Sequence, residues 1–181
     1  VPLWMPAIGS IIAIALIKQA FGGLGHNFMN PALGARAILL AAWPIHMTTW
    51  VTPGIDAIST ATPLEVLKIG SVRSELPSLW DAFIGNIGGC IGETSSLALI
   101  IGGVYLLYKR VISWRIPFTF LGTVAIFTWI FGIDGLFTGN GIYNLFIGGL
   151  MLGAFFMATD YSSSPVTPKG QIIMGVGCGI I

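Results

Sequence analysis

Ser95-Ser96-Leu97-Ala98-Leu99-Ile100-Ile101-Gly102-Gly103-Val104-Tyr105-Leu106-Leu107-Tyr108 decides the fold of this chain. No charge interrupts it, and Lys109-Arg110 closes it. A helix that crosses a bilayer needs about 20 mainly apolar residues. The stretch opened by Gly92-Glu93-Thr94 and ending at Tyr108 reads as such a span.

Outward from it, the same texture recurs. Ile116 to Phe131 reads as a second span and Ile142 to Ala158 as a third. Gln171 onward reads as a further, incomplete one. Toward the start, Pro6 to Gln19 reads as a short helix, and the glycines after Phe21 break it. Asn30-Pro31 then signals a new helix, with Asn as cap and Pro in the first turn, expected to run through Arg36 to about Trp50. Residues 79–91 are apolar but short and glycine-rich, which suits a re-entrant or half helix. Val1 opens in apolar sequence without an initiator Met, and Ile181 closes in another apolar run, so a central part of a longer protein is expected.

Composition agrees with these spans. The chain is 55% hydrophobic with only 8% charged residues, against about 25% charged in ordinary soluble domains. Its mean hydropathy is +0.89. Lipid replaces the polar shell that so few charges cannot supply. The 25 glycines suit close helix packing in a membrane. The expected class is therefore all-α, a polytopic integral membrane bundle forming one domain over residues 1–181. A net charge of +1 gives no basis for nucleic-acid binding. Cys90 and Cys178 lie in glycine-rich apolar sequence and read as packing residues; without a Cys-x-x-Cys pair, an iron–sulfur cluster held by this chain alone is not expected.

Orientation follows from positive charge in short loops. Lys109, Arg110 and Arg115 crowd one turn, which places that turn in the cytoplasm. Residues 160–170 then fall on the same side, with Lys18, Arg36 and Lys169, while residues 51–78 and 132–140 fall outside. Trp43, Trp50, Trp80, Trp114 and Trp129 stand near expected helix ends, as in an interfacial belt. A weak internal repeat pairs Asn30-x-x-x-Gly34 with Asn144-x-x-x-Gly148, and Val51-Thr-Pro with Val166-Thr-Pro, at nearly equal offsets. The two helices run in opposite directions in this topology, the pattern of an inverted repeat.

One polar segment stands apart: Asp56-Ala57-Ile58-Ser59-Thr60-Ala61-Thr62-Pro63-Leu64. Pro63 biases Thr62 to extended backbone. Thr60 and Ala61 are too small to block the Thr62 hydroxyl, and Asp56 and Ser59 can make local turn hydrogen bonds that present the loop. An exposed, extended hydroxyl of this kind suits an acceptor that a transferase must grip. The same residues also suit a helix start at Pro63. Elsewhere, Glu93 suits a helix cap. Arg36 can snorkel or pair with an anion. Asp134 and Asp160 read as solvated loop-edge residues. His26 and His46 have no second ligand at metal-site spacing. No dinucleotide-binding glycine fingerprint is present, so NAD is expected to bind another subunit.

The order of motifs resembles one family. Phe21-Gly-Gly-Leu-Gly-His-Asn-Phe-Met-Asn-Pro-Ala-Leu33, Ala42-Trp43-Pro44, Asp56 to Leu64, and Gly92-Glu93-Thr94-Ser95 with Gly102-Gly103-x-Tyr105-Leu106 together are similar to the RnfD/NqrB family. It comprises the D component of the Rnf electron-transport complex and the B component of the sodium-translocating NADH:quinone reductase. Ala61-Thr62-Pro63-Leu64, with Thr60 where the quinone-reductase component more often has Gly, looks more like the Rnf one.

The resemblance implies FMN joined to Thr62 by a phosphoester, within a flavinylation motif of Asp56, Ser59, Thr60 and Ala61, installed by a separate flavin transferase. It also implies a noncovalent riboflavin that no motif here places. It implies an inverted-repeat fold similar to urea-channel-like proteins in the bacterial inner membrane. The partners would be the other membrane and iron–sulfur subunits, including a second FMN-carrying subunit. Together they would form an ion-translocating oxidoreductase that moves electrons between ferredoxin and NAD and drives Na⁺ or H⁺ across the membrane. Two rivals stand beside this reading: the quinone-reductase component, and a urea- or ammonium-type channel with no redox role, which would have no use for Asp56 to Leu64.

Overall fold

The computed structural model describes residues 2–23, 25–27, 29–48, 78–87, 94–132, 135–137 and 139–181. The chain forms two compact units, residues 1–49 with 160–164 and residues 50–159 with 165–181.

The first unit is built on a helical hairpin. Its first arm is α-helical over Trp4–Ile11 and continues in the wider π geometry over Ile12–Gln19. Three positive-φ glycines, Gly22, Gly23 and Gly25, then turn the chain. The second arm, Pro31–Ala42, starts where expected: Asn30 Oδ1 accepts from the N–H groups of Ala32 and Leu33 at 2.9 and 3.3 Å. This arm ends well short of Trp50. Trp43 leaves helical geometry at φ −135°, ψ 65°, and a separate short helix covers Pro44–Thr48. The cause is Pro44, which lacks an N–H and disfavours helical backbone in the residue before it. Met5, Ile17, Ala35 and Leu39 are buried between the arms. Trp4 meets Trp43 edge-on at 5.3 Å across the open end.

In the second unit, a helix of only six residues, Leu79–Ile84, is capped by Ser78, whose Oγ accepts from the Asp81 N–H at 3.1 Å. It stops at Gly85 with φ 109°, and a Cβ there would stand 2.8 Å from Ser95 Cα, so both the conformation and the closeness of the next segment require glycine. The short-helix expectation for 79–91 holds in its described part. The next helix is Ser96–Tyr108, capped by Ser95, whose Oγ accepts from the Ala98 N–H.

Helix Arg115–Ile130 follows after a tight turn. Its threonines return their hydroxyl protons to carbonyls four residues back (Thr119 to Arg115, Thr123 to Thr119, Thr128 to Val124, each 2.7 Å), so no hydroxyl of this apolar helix is left needing water. A two-residue antiparallel hairpin pairs Phe131 with Leu136 and Gly132 with Gly135. The expected all-α class thus becomes mostly helical with one minimal ladder.

The span expected over 142–158 is broken. Helix Gly141–Phe146 is capped by Asn140, the chain bends at Ile147-Gly148-Gly149, and a second piece runs through Leu150–Leu152 into π geometry over Gly153–Met157. Gly148 adopts φ 72°, which no continuing helix accommodates. Asn144 therefore sits inside a helix while Asn140 caps it, and the pairing of Asn144 with the true cap Asn30 does not extend to their structural roles. Helix Pro168–Ile180 begins three residues before the expected Gln171, because Thr167 Oγ1 accepts from the Gly170 N–H and Pro168 occupies the first turn.

Two pairs of helices run parallel. Ser96 meets Phe146, and Gly103 meets Phe155. Ser113 meets Gln171, Ile116 and Thr119 meet Gly175, and Thr123 meets Gly179. The second contact uses the small-xxx-small spacing that lets helix backbones approach. Gly175 lies against Thr119 Oγ1, and a Cβ on Gly179 would stand 2.6 Å from Thr123 Cβ. The expected topology places the starts of 116–131 and 171–181 on one side, and this parallel packing agrees with it.

No described helix is long and apolar enough to cross a membrane. The longest has 16 residues, about 24 Å at 1.5 Å per residue, against a hydrocarbon core of about 30 Å.

Candidate functional site

Asp56, Ser59, Thr60, Ala61 and Thr62 all lie outside the described residues, as do Glu93, Cys90 and Asp134. The structure describes three other polar or irregular places.

The first lies in the unit of residues 1–49 and 160–164. Asn27 follows the glycine break and is only 8% exposed. Its Nδ2 donates to Ser162 Oγ at 3.1 Å. Ser162 Oγ in turn donates to Asp160 Oδ2 at 2.8 Å, and Ser163 Oγ donates to the same oxygen at 2.9 Å. Because Ser162 gives its proton to the carboxylate, it can only accept from Asn27. That fixes the amide with Nδ2 toward the serine and leaves Oδ1 buried with no hydrogen-bond partner among the described residues. An orphaned buried acceptor is costly, and a donor from a bound ligand would relieve it. Asp160 is half-buried and takes two hydroxyl protons, so it is not the simply solvated residue its loop-edge position implies. Asn27 carries no signal that separates it from other loop asparagines; only the fold brings it to Ser162, 135 positions away.

The second place is where two broken helices meet in the other unit. Ser96 is fully buried and donates to the Phe146 carbonyl at 2.9 Å. Phe83 and Phe146 pack edge-on at 5.3 Å. Ala82, Ile87 and Ile147 form a small core there, flanked by Tyr143 and Phe146. The helix breaks at Gly85 and Gly148 therefore close around an apolar plug, with one serine satisfying a terminal carbonyl. Nearby, an open groove of about 560 Å³ runs past Ile126, Trp129 and Ile142. Asn140 lines it but uses its side-chain oxygen to cap the following helix, accepting from the Tyr143 N–H at 3.1 Å.

The third place is the basic turn. Lys109 and Arg110 are exposed and Arg115 is half-buried. Helix 96–108 ends with Arg110 N–H donating to the Leu107 carbonyl and Val111 N–H to the Leu106 carbonyl, both at 3.0 Å. This double bond pattern closes a helix through a left-handed residue, a position usually given to glycine. Here it is Arg110, at φ 56°.

Among the described residues no group of three His, Cys, Asp or Glu side chains is placed to hold a metal ion. His26 is exposed, and His46 packs edge-on against Trp4 at 6.4 Å. Arg36 is exposed on its helix. Trp43 and Trp114 flank helix ends, and Trp80 and Trp129 occupy a first and a last turn.

Comparison with known proteins covers the whole chain. The chain is 58% identical over 99% of its length to the D component of the Na⁺-translocating ferredoxin:NAD⁺ oxidoreductase complex of Acetobacterium woodii, covering 55% of that protein. It is 48% identical over its full length to the D component of the proton-translocating ferredoxin:NAD⁺ oxidoreductase complex of Clostridium ljungdahlii, covering 58% of it. It is 39% identical over 99% of its length to the B component of the Na⁺-translocating NADH-quinone reductase of Klebsiella pneumoniae, covering 48% of it. The chain thus spans about half the length of the curated relatives it matches. The model of the NQR2, RnfD, RnfE family matches residues 1–181, and the chain belongs to that family.

Proposed function

We propose that the full protein is the D component of an Rnf-like, ion-translocating ferredoxin:NAD oxidoreductase, that it lies in the bacterial inner membrane as a multi-pass bundle, and that it carries FMN covalently on Thr62. The observation that carries the reading is the segment Asp56 to Leu64 within a chain of this family. Identity of 58% and 48% to D components, against 39% to a quinone-reductase B component, supports the Rnf assignment over its rival.

This chain's own contribution is to display and hold the group. The Thr62 hydroxyl is the acceptor oxygen for the phosphoester, and a proline at 63 biases the residue before it to extended backbone. Asp56 and Ser59 are residue types that make local turn hydrogen bonds, and Thr60 and Ala61 are too small to block the hydroxyl. FMN when bound supplies one- and two-electron chemistry, and the protein supplies its position and surroundings. The loop of residues 51–78 faces outward in this topology, opposite the basic turn. NAD binds another subunit, because this sequence has no dinucleotide-binding fingerprint, and iron–sulfur clusters belong to other subunits, because it has no Cys-x-x-Cys pair. The protein is catalytically incomplete alone.

The test is a denaturing gel of the full-length protein from cells that express the flavin transferase. A flavin-fluorescent band that disappears in Thr62→Ala is expected, together with a Thr62 peptide heavier by one FMN in mass spectrometry. A dark wild-type band with an unmodified peptide would falsify the flavin assignment. Copurifying ferredoxin-type iron–sulfur subunits are expected; a quinone-reducing assembly in their place would favour the rival.

A further inference from the structure

We propose that Lys109, Arg110, Arg115 and Lys169 form a binding site for the phosphate headgroup of an anionic phospholipid at one end of the second unit. This goes beyond the flavin reading and rests only on its membrane part.

Four of the eight Lys and Arg residues of the chain are gathered here. Ser113 Oγ donates to Gln171 Oε1 at 3.0 Å, and Gln171 Nε2 donates to the Pro165 carbonyl at 3.1 Å. These bonds hold the basic turn against the start of helix 168–180. Because helices 115–130 and 168–180 run parallel, Lys169 reaches the same end as Arg115. No Asp or Glu occurs from Thr94 to Ile133 or from Gly135 to Thr159. Among the described residues none of the four cations has a carboxylate partner.

Two features point to a lipid as the occupant. Lys109 Nζ lies 5.9 Å from the Tyr105 ring centre and the Arg115 guanidinium 5.6 Å from that of Trp114, so cations and amphipathic rings share one level. Tyr108 is 81% and Trp114 60% exposed, as rings at a headgroup boundary are. The helices leading away from the turn expose Ile101, Val104 and Phe118. A phosphodiester with acyl chains satisfies both the cations and this apolar surface, whereas a free phosphate meets only the first. Arg110 stands at a left-handed position where glycine would relieve the backbone, so its charge can be removed there without straining the turn.

The experiment uses the intact complex containing the full-length protein. It is equilibrated in mixed micelles of equimolar phosphatidylglycerol and phosphatidylcholine, and the lipid retained after gel filtration is measured. Wild type is expected to retain the anionic lipid about fivefold or more over the zwitterionic one, with the ratio falling at high salt. Lys109→Gln/Arg115→Gln/Lys169→Gln is expected to bring the ratio near one, and Lys18→Gln to leave it unchanged. Arg110→Gly separates structure from binding: it should raise the thermal midpoint while lowering the ratio. A wild-type ratio near one overturns the proposal, as does a triple variant that retains lipid like wild type. Displacement of phosphatidylglycerol by an equal concentration of inorganic phosphate would assign the cations to a soluble phosphate compound, which also overturns it. Release of the protein from membranes by alkaline carbonate marks failure of the membrane reading instead; a ratio near one in a carbonate-resistant protein marks failure of this one.

Discussion

Single residues set the positions that matter most in the described structure. Ser96 is buried and closes its hydrogen bond on the last carbonyl of a helix that ends 50 residues later. Ser96→Ala removes the donor and strands the Phe146 oxygen in an apolar plug. The expected loss is about 1–3 kcal/mol, read as a lowered thermal midpoint of the detergent-solubilised protein; an unchanged midpoint would count against the plug. Nothing in Ser95-Ser96 tells the two serines apart by sequence. Both suit a helix start, and only packing assigns the cap to the first and the cross-connection to the second. Asn27 and Asp160 make the same point. Each looks like an ordinary loop residue until the fold joins them through Ser162. Asn30, by contrast, was legible, because a cap acts on N–H groups two and three residues away and Pro31 advertises the helix start.

At the scale of elements, the helix pair 115–130 and 168–180 depends on two of three alternate glycines. Gly175 and Gly179 face Thr119 and Thr123, while Gly177 has open space around it. Gly175→Ala or Gly179→Ala should cost about 1–3 kcal/mol through overpacking. Gly177→Ala should be neutral or stabilise by up to about 1 kcal/mol, because only helix propensity changes. Thermal midpoints of the three variants check this, and equal effects would sink the packing account. The sequence marks all three glycines alike; which two face the neighbour is decided by helical phase against a partner about 60 residues earlier. Breaks were legible in part. Pro44 announces its own, yet the expectation carried the helix on to Trp50. Gly148-Gly149 lay inside a run apolar enough to read as continuous, because hydropathy is blind to backbone conformation. A short helix was legible in the stretch 79–91, because the glycines that begin at Gly85 in the sequence leave little room for a longer one, and its described part is the helix 79–84.

At the scale of the whole molecule, the parallel contacts fix the relative direction of the paired helices in the second unit. The turn at 109–115 and the start of helix 168–180 lie at one end. The proposed topology sets residues 51–78 on the opposite side of the bilayer. In a full-length protein with Cys90 and Cys178 replaced, cysteines at Lys109 and at Thr167 should be labelled from the cytoplasmic face, and one at Ser59 only from the outer face. Labelling of Ser59→Cys from the cytoplasmic side would refute the outward display of Thr62. The described helices are shorter than a bilayer's hydrocarbon core of about 30 Å, and two of them stop at positive-φ glycines, Gly85 and Gly148.

Composition, apolar runs and local caps are matters of near neighbours, and the chain alone determined them: mostly helical structure, the helix start at Asn30, a short helix near 79, a basic turn, and a polar segment with a proline after Thr62. The tertiary structure decided what depends on distant groups meeting. It made Asn27 a partner of Ser162, selected Gly175 and Gly179 as the packing face, set two helix pairs parallel, and brought Lys169 to the end that holds Arg115. The reason is range: a cap or a proline acts within one turn, whereas a buried hydrogen bond or a glycine contact exists only once another segment has arrived.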